Sequence, residues 1–158
     1  MGPWAHVGPA SSGIRSGSDI GGGWDARRWG GMGRRWRDGR GELVVHGGEG
    51  PSVRVPLEIA TSYRARTKGL LGRDSVDGAI LLSPASGVHT FRMRIPIDVA
   101  YLDRHLRVIA VRTMRPGRLG MPRLRARHVV EADAGVMGAW GVREGARVEV
   151  VAGSGGGL

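Results

Sequence analysis

The run Ile97–Leu102 constrains the fold more than any other part of the chain. Five of its six side chains are apolar, and only Asp98 interrupts the run. Successive side chains of a strand point to opposite faces of a sheet, so a run that is apolar at both parities predicts a strand buried on both sides. A chain of 158 residues has room for one domain around such a strand. We therefore predict a sheet with residues 97–102 near its centre.

Further strands are predicted on both sides of this run. Residues 53–60 alternate between branched apolar side chains and other residues, which is typical of a half-buried strand. Pro56 lies within that segment and cannot donate a ladder hydrogen bond, so it predicts an edge strand or a bulge. Short strands are also predicted at residues 43–45, 79–82, 88–93, 106–111, 128–132 and 147–151, with a hairpin loop at 103–105.

Two short helices complete the predicted fold. The first covers residues 62–71, with Thr61 as its N-cap and Gly72 at the C-terminal cap position. The second covers residues 134–140 and ends at Gly141. We predict a mainly β fold, a compact β-barrel or sandwich of about eight short strands with one or two short peripheral helices.

The first 41 residues differ in composition from the rest of the chain. They contain 12 glycines and few aliphatic residues, so a disordered extension is predicted at 1–41, a single β-rich domain at 42–152 and a flexible tail at 153–158. The run 27–37 interleaves Arg, Gly and Trp, a composition typical of weak, sequence-tolerant RNA binding. A low-complexity extension, or translated sequence upstream of a start at Met32, is the alternative.

Charge and composition limit the classes of function. The net charge is +10, but only Lys68 is lysine among 24 basic residues, a bias as typical of a GC-rich genome as of a nucleic-acid surface. The absence of cysteine excludes disulfides, thiol catalysis and thiolate metal sites. No window approaches the ~18 apolar residues of a membrane span, and no secretory signal is visible. The default expectation is a cytoplasmic protein.

Several motifs in residues 59–150 occur together in one known family. They are Gly69-Leu70-Leu71-Gly72-Arg73, His89-Thr90-Phe91 with Met93, and Pro96-Ile97-Asp98 followed by an aromatic-apolar-Asp turn. Val130-Glu131, Ala134-Gly135, Gly141 and Gly145 follow towards the C-terminal end. By these motifs residues 59–150 resemble domain of unknown function 192, a widespread prokaryotic family of uncharacterised proteins. Many members have Trp where Arg92 stands, and His105 replaces a turn glycine, where we expect a positive φ to be tolerated. The resemblance implies the mostly β fold and no established activity.

Polar side chains within apolar strands are the first candidates for a site. His89, Asp98 and Glu131 could ligate a divalent metal or act as acid and base, although their spacing shows no paired ligands. The alternative is structural, with Asp98 receiving backbone N–H bonds or pairing with Arg92 or Arg94, and Glu131 pairing with another arginine. The second candidate is the acid-free segment 112–127, whose clustered arginines suit phosphate or carboxylate. The alternative for this segment is a solvated loop in an arginine-biased genome.

Three hypotheses follow. The favoured one is non-enzymatic binding of an anionic or saccharide-like ligand, or of a protein partner. The alternatives are a metal-assisted hydrolase using His89, Asp98 and Glu131, and RNA binding through the basic N-terminal segment. The cofactor and the metal are left unknown, and no catalytic residue is assigned. The residues predicted to contact a ligand are His89, Phe91, Met93, Asp98, Arg115, Arg118 and Glu131.

Overall fold

A computed structural model describes residues 36–153. This part of the chain contains seven strands and two short helices. The strands are β1 (Gly39–His46), β2 (Val53–Ala60), β3 (Ala79–Leu82), β4 (Ile97–Leu102), β5 (Val108–Met114), β6 (His128–Asp133) and β7 (Arg147–Ala152). The helices are α1 (Tyr63–Lys68) and α2 (Val136–Ala139). The mainly β class with short helices is confirmed.

The seven strands form one sheet in the order β5-β4-β6-β3-β2-β1-β7. All neighbours are antiparallel except the parallel pair β2 and β3. The sheet curls, because the start of β5 meets the start of β7. An isolated bridge joins Arg107 to Arg147, and the backbone N–H of Val108 donates to the carbonyl of Ala146 at 2.9 Å. The fold is therefore a half-barrel rather than two stacked sheets.

Strand β4 is buried along its whole length, as the apolar run predicts. It lies between β5 and β6, second from one end of the strand order, and not near the centre of the sheet as predicted. Its side chains separate into two sets. Val99 is paired with Glu131 of β6, so both point to the same side, which we call the Glu131 face. Asp98 is paired with Ala132 and points to the opposite side, the Asp98 face. Both faces are covered, which explains why nearly every residue of β4 is apolar.

The Glu131 face is covered by α1 and by two long connections, residues 83–96 and 115–127. One apolar cluster joins these segments to the sheet. The sheet contributes Ile80, Leu82, Ile97, Val99, Tyr101, Ala110, Met114 and Val129, and the covering segments contribute Leu70, Val88, Met93 and Ala126. Burying each large apolar side chain stabilises the fold by about 2 kcal/mol. The cluster therefore holds the two long connections against the sheet.

Residues 88–93 do not form the predicted strand. Only His89 makes a bridge, to Leu119, and residues 90–93 form a turn closed by a hydrogen bond from Met93 N to Thr90 O at 3.2 Å. Arg92 has a φ of 61°, which a β-strand cannot accommodate. The alternation of side chains in 88–93 is typical of a strand, but this segment is not among the seven strands that pair to form the sheet.

Helix α1 is shorter than predicted and has different caps. Ser62 is the N-cap, since its hydroxyl accepts a hydrogen bond from Ala65 N at 3.1 Å. Gly69, predicted to lie inside the helix, is the C-cap with a φ of 40°. Thr61 instead donates through its N–H and its hydroxyl to Asp38, at 2.6 and 2.9 Å. A long-range partner from the start of the domain thus decided where the helix begins.

Other boundaries move for similar reasons. The sheet begins at Gly39, before the predicted domain boundary at 42, and Trp36 packs edge-on against His128 with ring centroids 5.1 Å apart. Strand β2 is an interior strand although it contains Pro56, because the pairing with β3 begins only at Leu57. The positive φ in the β4–β5 connection falls on Leu106, at 60°, and not on His105.

None of the helices in residues 36–153 has the length and apolar character needed to cross a bilayer.

Candidate functional site

The Glu131 face carries a cleft of about 460 Å³ beneath α1. Its floor and walls combine apolar side chains from the cluster with one carboxyl group. Leu70, Leu82, Val88 and Met93 provide the apolar walls, and Glu131 provides the carboxyl. Strand β6 places Glu131 there because the residue pairs with Val99 on one side and Ile80 on the other, both of which point to the same face.

Glu131 is the most unusual residue of this cleft. It is only 4% exposed, yet neither carboxyl oxygen forms a hydrogen bond or an ion pair with any residue in 36–153. Burial raises the pKa of Glu131 from 4.5 to about 7, because desolvation penalises the charged form. Burying a carboxyl group without a partner is unfavourable. A carboxyl in this position is therefore available to an occupant of the cleft.

Gly69 lies beside the carboxyl group of Glu131. Gly69, the C-cap of α1, has no Cβ; a Cβ there would lie 3.6 Å from Glu131 Oε2. The left-handed backbone at this position also favours glycine. Glycine at this position is therefore explained by the backbone conformation that ends α1, because a Cβ would contact the carboxyl group at an ordinary van der Waals distance.

The rim of the cleft is aromatic and basic. His89, predicted to lie within an apolar strand, is exposed, and its ring stacks on Phe91 with centroids 5.3 Å apart. Tyr63 is 79% exposed on the α1 side of the rim. Arg66 Nη1 donates to the carbonyl of Pro84 at 2.7 Å and so ties α1 to the connection 83–96. Lys68 lines the rim without a side-chain partner among the residues described.

A second cleft of about 530 Å³ lies on the same face, in the segment rich in arginine. We call it the arginine cleft. Four arginines line it, together with the buried Tyr101 and the exposed Leu119 and Met121; the arginines are Arg112, Arg115, Arg118 and Arg123. Gly120 allows the loop to approach the sheet, because a Cβ there would meet Tyr101 Oη at 2.8 Å.

The turn at residues 90–93 connects the walls of the two clefts. His89 and Met93 line the Glu131 cleft, while Leu119, the bridge partner of His89, lines the arginine cleft. Thr90 is fully buried, and its hydroxyl donates to the carbonyl of Arg115 at 2.6 Å and accepts from the N–H of Arg118 at 2.8 Å. One buried threonine therefore fixes the backbone of two arginines.

Asp98 does not belong to either cleft. It points to the opposite face, where Oδ1 accepts from Thr113 Oγ1 at 2.7 Å and Oδ2 accepts from the N–H groups of Gly135 and Met137 at 2.8 and 3.3 Å. This is the structural role considered from the sequence, with the start of α2 as its partner. In residues 36–153 no three His, Asp or Glu side chains are grouped closely enough to hold a metal ion.

The predicted contact residues therefore separate into four sets. His89, Met93 and Glu131 line the first cleft, Arg115 and Arg118 line the second, Phe91 lies against His89 outside the first cleft, and Asp98 is structural. Tyr63, Lys68 and Tyr101 were not predicted. Tyr101 lies in the central run and was assigned to the core, and no local pattern shows that its hydroxyl reaches an arginine-lined surface. The RNA-binding hypothesis rests mainly on residues outside those described and stays a prediction.

The structure defines a small mainly β domain, built on one curled sheet that carries the Glu131 cleft and the arginine cleft on the same face. The chain belongs to the DUF192 family, described as "Uncharacterized ACR, COG1430", whose model matches residues 44–150. It is 29% identical over 99 residues to the UPF0127 protein PH1112 of Pyrococcus horikoshii, an alignment that covers 60% of this chain and 86% of that protein.

Two solved structures share the fold. A protein from Sinorhizobium meliloti 1021 superposes with a TM-score of 0.63 and 18% identity, covering 73% of this chain and 96% of its own. A protein of unknown function from Novosphingobium aromaticivorans DSM 12444 superposes with a TM-score of 0.61 and 20% identity, covering 68% of this chain and 83% of its own. At these identities the likeness concerns the fold alone.

Proposed function

We propose that the domain binds a small uncharged ligand rich in hydroxyl groups, such as a saccharide, in the Glu131 cleft. The observation that carries this proposal is the buried carboxyl of Glu131, which has no partner among residues 36–153 and lines a cleft of about 460 Å³. Small-molecule sites commonly combine apolar walls with a few polar groups that fix the orientation of the ligand.

The lining favours a hydroxylated ligand over a charged one. A carboxyl group accepts hydrogen bonds from hydroxyls when ionised and also donates one when protonated, so it serves a neutral ligand on either side of its pKa. Arg66 and Lys68 at the rim disfavour an amine, and an ionised Glu131 disfavours an anion. Apolar walls such as Leu70 and Met93 suit the C–H faces of a sugar ring.

The metal-assisted hydrolase has less support than ligand binding. That mechanism required His89, Asp98 and Glu131 to converge, whereas Asp98 points to the opposite side of the sheet from Glu131 and its oxygens accept hydrogen bonds from protein groups. Binding of a protein partner also has less support, because the Glu131 carboxyl is recessed in a cleft and does not lie on an open surface.

The proposal is tested with Glu131→Leu. Leucine suits a buried site, so the variant is expected to fold, and loss of binding would then report loss of the carboxyl group. Isothermal titration of wild-type protein with a panel of mono- and disaccharides should find at least one saturable ligand, and Glu131→Leu should weaken it at least tenfold. Exposed Glu144 offers the control, since Glu144→Leu should bind as wild type does.

Two results would contradict the proposal. One is the absence of any saturable saccharide response in the wild-type protein across the panel. The other is an affinity that Glu131→Leu leaves unchanged while the fold is intact by circular dichroism.

A further inference from the structure

We propose that the arginine cleft is a second binding site, which takes the phosphate group of a phosphorylated ligand. It is separate from the Glu131 cleft, shares none of that cleft's lining residues, and does not depend on the function proposed for it.

Uncompensated charge is the first argument. Arg112, Arg115, Arg118 and Arg123 line the cleft, and no acidic residue within 36–153 does. The whole segment 112–127 lacks aspartate and glutamate. None of these four guanidinium groups forms a salt bridge to a carboxylate in residues 36–153. Four like charges around one cleft repel one another, and a multiply charged anion relieves that repulsion.

The orientation of Arg123 is the second argument. Its guanidinium lies over the ring of Tyr101 at 5.6 Å, and its Nε is buried without a hydrogen-bond acceptor among the residues described. Buried N–H groups in folded proteins nearly always have a partner. Tyr101, itself only 2% exposed, lines the same cleft. A donor and a hydroxyl are thus held in fixed positions by packing against the sheet.

The backbone of the loop is fixed as well. Thr90 binds the carbonyl of Arg115 and the N–H of Arg118, and Gly120 N donates to Val88 O at 2.8 Å. The side chains of Arg115 and Arg118 are exposed and have no partner among residues 36–153. Anchored backbone with free guanidinium groups is suited to bidentate contacts with phosphate oxygens.

The lining favours a phosphorylated small molecule or a lipid headgroup over single-stranded nucleic acid. Single strands are held by exposed aromatic side chains on which bases stack, whereas among the described residues the aromatic group that lines this cleft is buried Tyr101. The exposed apolar side chains are instead Leu119 and Met121, at 71% and 76% exposure. They suit an aliphatic part of the ligand or the edge of a bilayer.

The test uses Arg115→Gln/Arg118→Gln in the full chain. Pyrophosphate is titrated by calorimetry, and sedimentation is measured with phosphatidylcholine vesicles with and without phosphatidylglycerol. We expect the wild-type protein to bind at least one of these phosphate probes, and the double variant to bind it at least tenfold more weakly. The control Arg64→Gln/Arg143→Gln removes the same charge from exposed arginines outside the cleft and should stay within twofold of wild type.

Each outcome decides the matter. Binding of pyrophosphate identifies a soluble phosphorylated ligand, and binding of the anionic vesicles alone identifies a lipid headgroup. Binding of neither probe overturns the proposal. Equal losses in the two double variants also overturn it, because they show attraction to net charge rather than a site. An oligonucleotide bound through Arg115 and Arg118 when neither probe binds would assign the cleft to nucleic acid and overturn it too.

Discussion

Asp98 and Glu131 lie on adjacent strands and point to opposite faces of the sheet. Their positions are offset by one residue in the β4–β6 register, in which Asp98 is paired with Ala132 and Val99 with Glu131. The carboxylate of Asp98 therefore accepts hydrogen bonds from the start of α2, while the carboxyl of Glu131 lines a cleft and has no partner among residues 36–153. Two acidic side chains that are close in the sheet thus have different surroundings on its two faces.

Glu131 should make stability depend on pH. Its pKa is raised from 4.5 to about 7 by burial, so the folded state binds more protons than the unfolded state between these values. The stability associated with the neutral carboxyl is full below pH 4.5 and is lost as pH rises through 7. At pH 8 we expect Glu131→Gln to be more stable than wild type by up to about 3 kcal/mol, and at pH 4.5 nearly equal to it.

Urea denaturation of both proteins at pH 4.5, 6, 7 and 8 measures this difference. Glu144→Gln, which changes an exposed carboxyl, is the control and should parallel wild type. A difference between Glu131→Gln and wild type that stays constant from pH 4.5 to 8 would show that the Glu131 carboxyl titrates normally.

His128 should act in the opposite direction. Burial lowers the pKa of His128 from 6.5 to about 4, an effect that nearby Asp103 opposes and Arg127 adds to. Its Nδ1 lies 2.8 Å from Ser83 Oγ. The folded state binds fewer protons here, so the associated stability is present above pH 6.5 and is lost as pH falls towards 4.

Between pH 7 and pH 4.5 we expect the free energy of unfolding of the wild-type protein to fall by about 2 kcal/mol relative to that of His128→Asn. This figure is reduced to allow for solvent screening. Urea denaturation at the two pH values checks it, and His105→Asn, at an exposed loop, is the control. If the stability gap between wild type and His128→Asn is the same at both values, His128 is not held neutral by the fold.

Asp98 is expected to stabilise the fold without contributing to ligand binding. Asp98→Ala leaves the hydroxyl of Thr113 and the N–H groups of Gly135 and Met137 without their acceptor. We expect a loss of about 3 kcal/mol in the free energy of unfolding. Thr113→Val removes only one of these bonds and should cost about 1 kcal/mol. Unfolding in urea that is unchanged in Asp98→Ala would disprove the structural assignment.

Thr90 is expected to position the arginine cleft. Thr90→Val keeps the shape of the side chain but leaves the carbonyl of Arg115 and the N–H of Arg118 unsatisfied, which we expect to cost about 2 kcal/mol. Thr90→Ser retains the hydroxyl and should recover most of this stability. Thermal unfolding of the wild-type protein and the two variants measures these stabilities. The affinity for the phosphate probe should be kept in Thr90→Ser, which retains the hydroxyl, and reduced in Thr90→Val, which lacks it. Equal stabilities of Thr90→Val and Thr90→Ser would remove the hydroxyl from the explanation.

Most strands of the sheet were predictable because the pattern of apolar side chains that indicates a strand lies within a few consecutive residues. The apolar run of β4, the alternation in β2 and the short apolar segments of β3 and β6 indicate strands by themselves. The predicted strand at 88–93 was wrong, because so short an alternation of apolar and polar residues also fits a turn. The turn, with Arg92 at positive φ, is held by long-range hydrogen bonds to the backbone of Arg115 and Arg118.

The sequence by itself determined that this chain forms a mainly β domain, that β4 is buried on both faces, and that one segment, 112–127, is rich in arginine and free of acidic residues. Hydrophobic periodicity and composition carry that information within a few residues. Only the tertiary structure decided which polar residues share a surface, because a one-residue offset between paired strands sends neighbouring side chains to opposite faces. That offset places Glu131 in a cleft, keeps Asp98 out of it, and sets Tyr101 beneath the arginines.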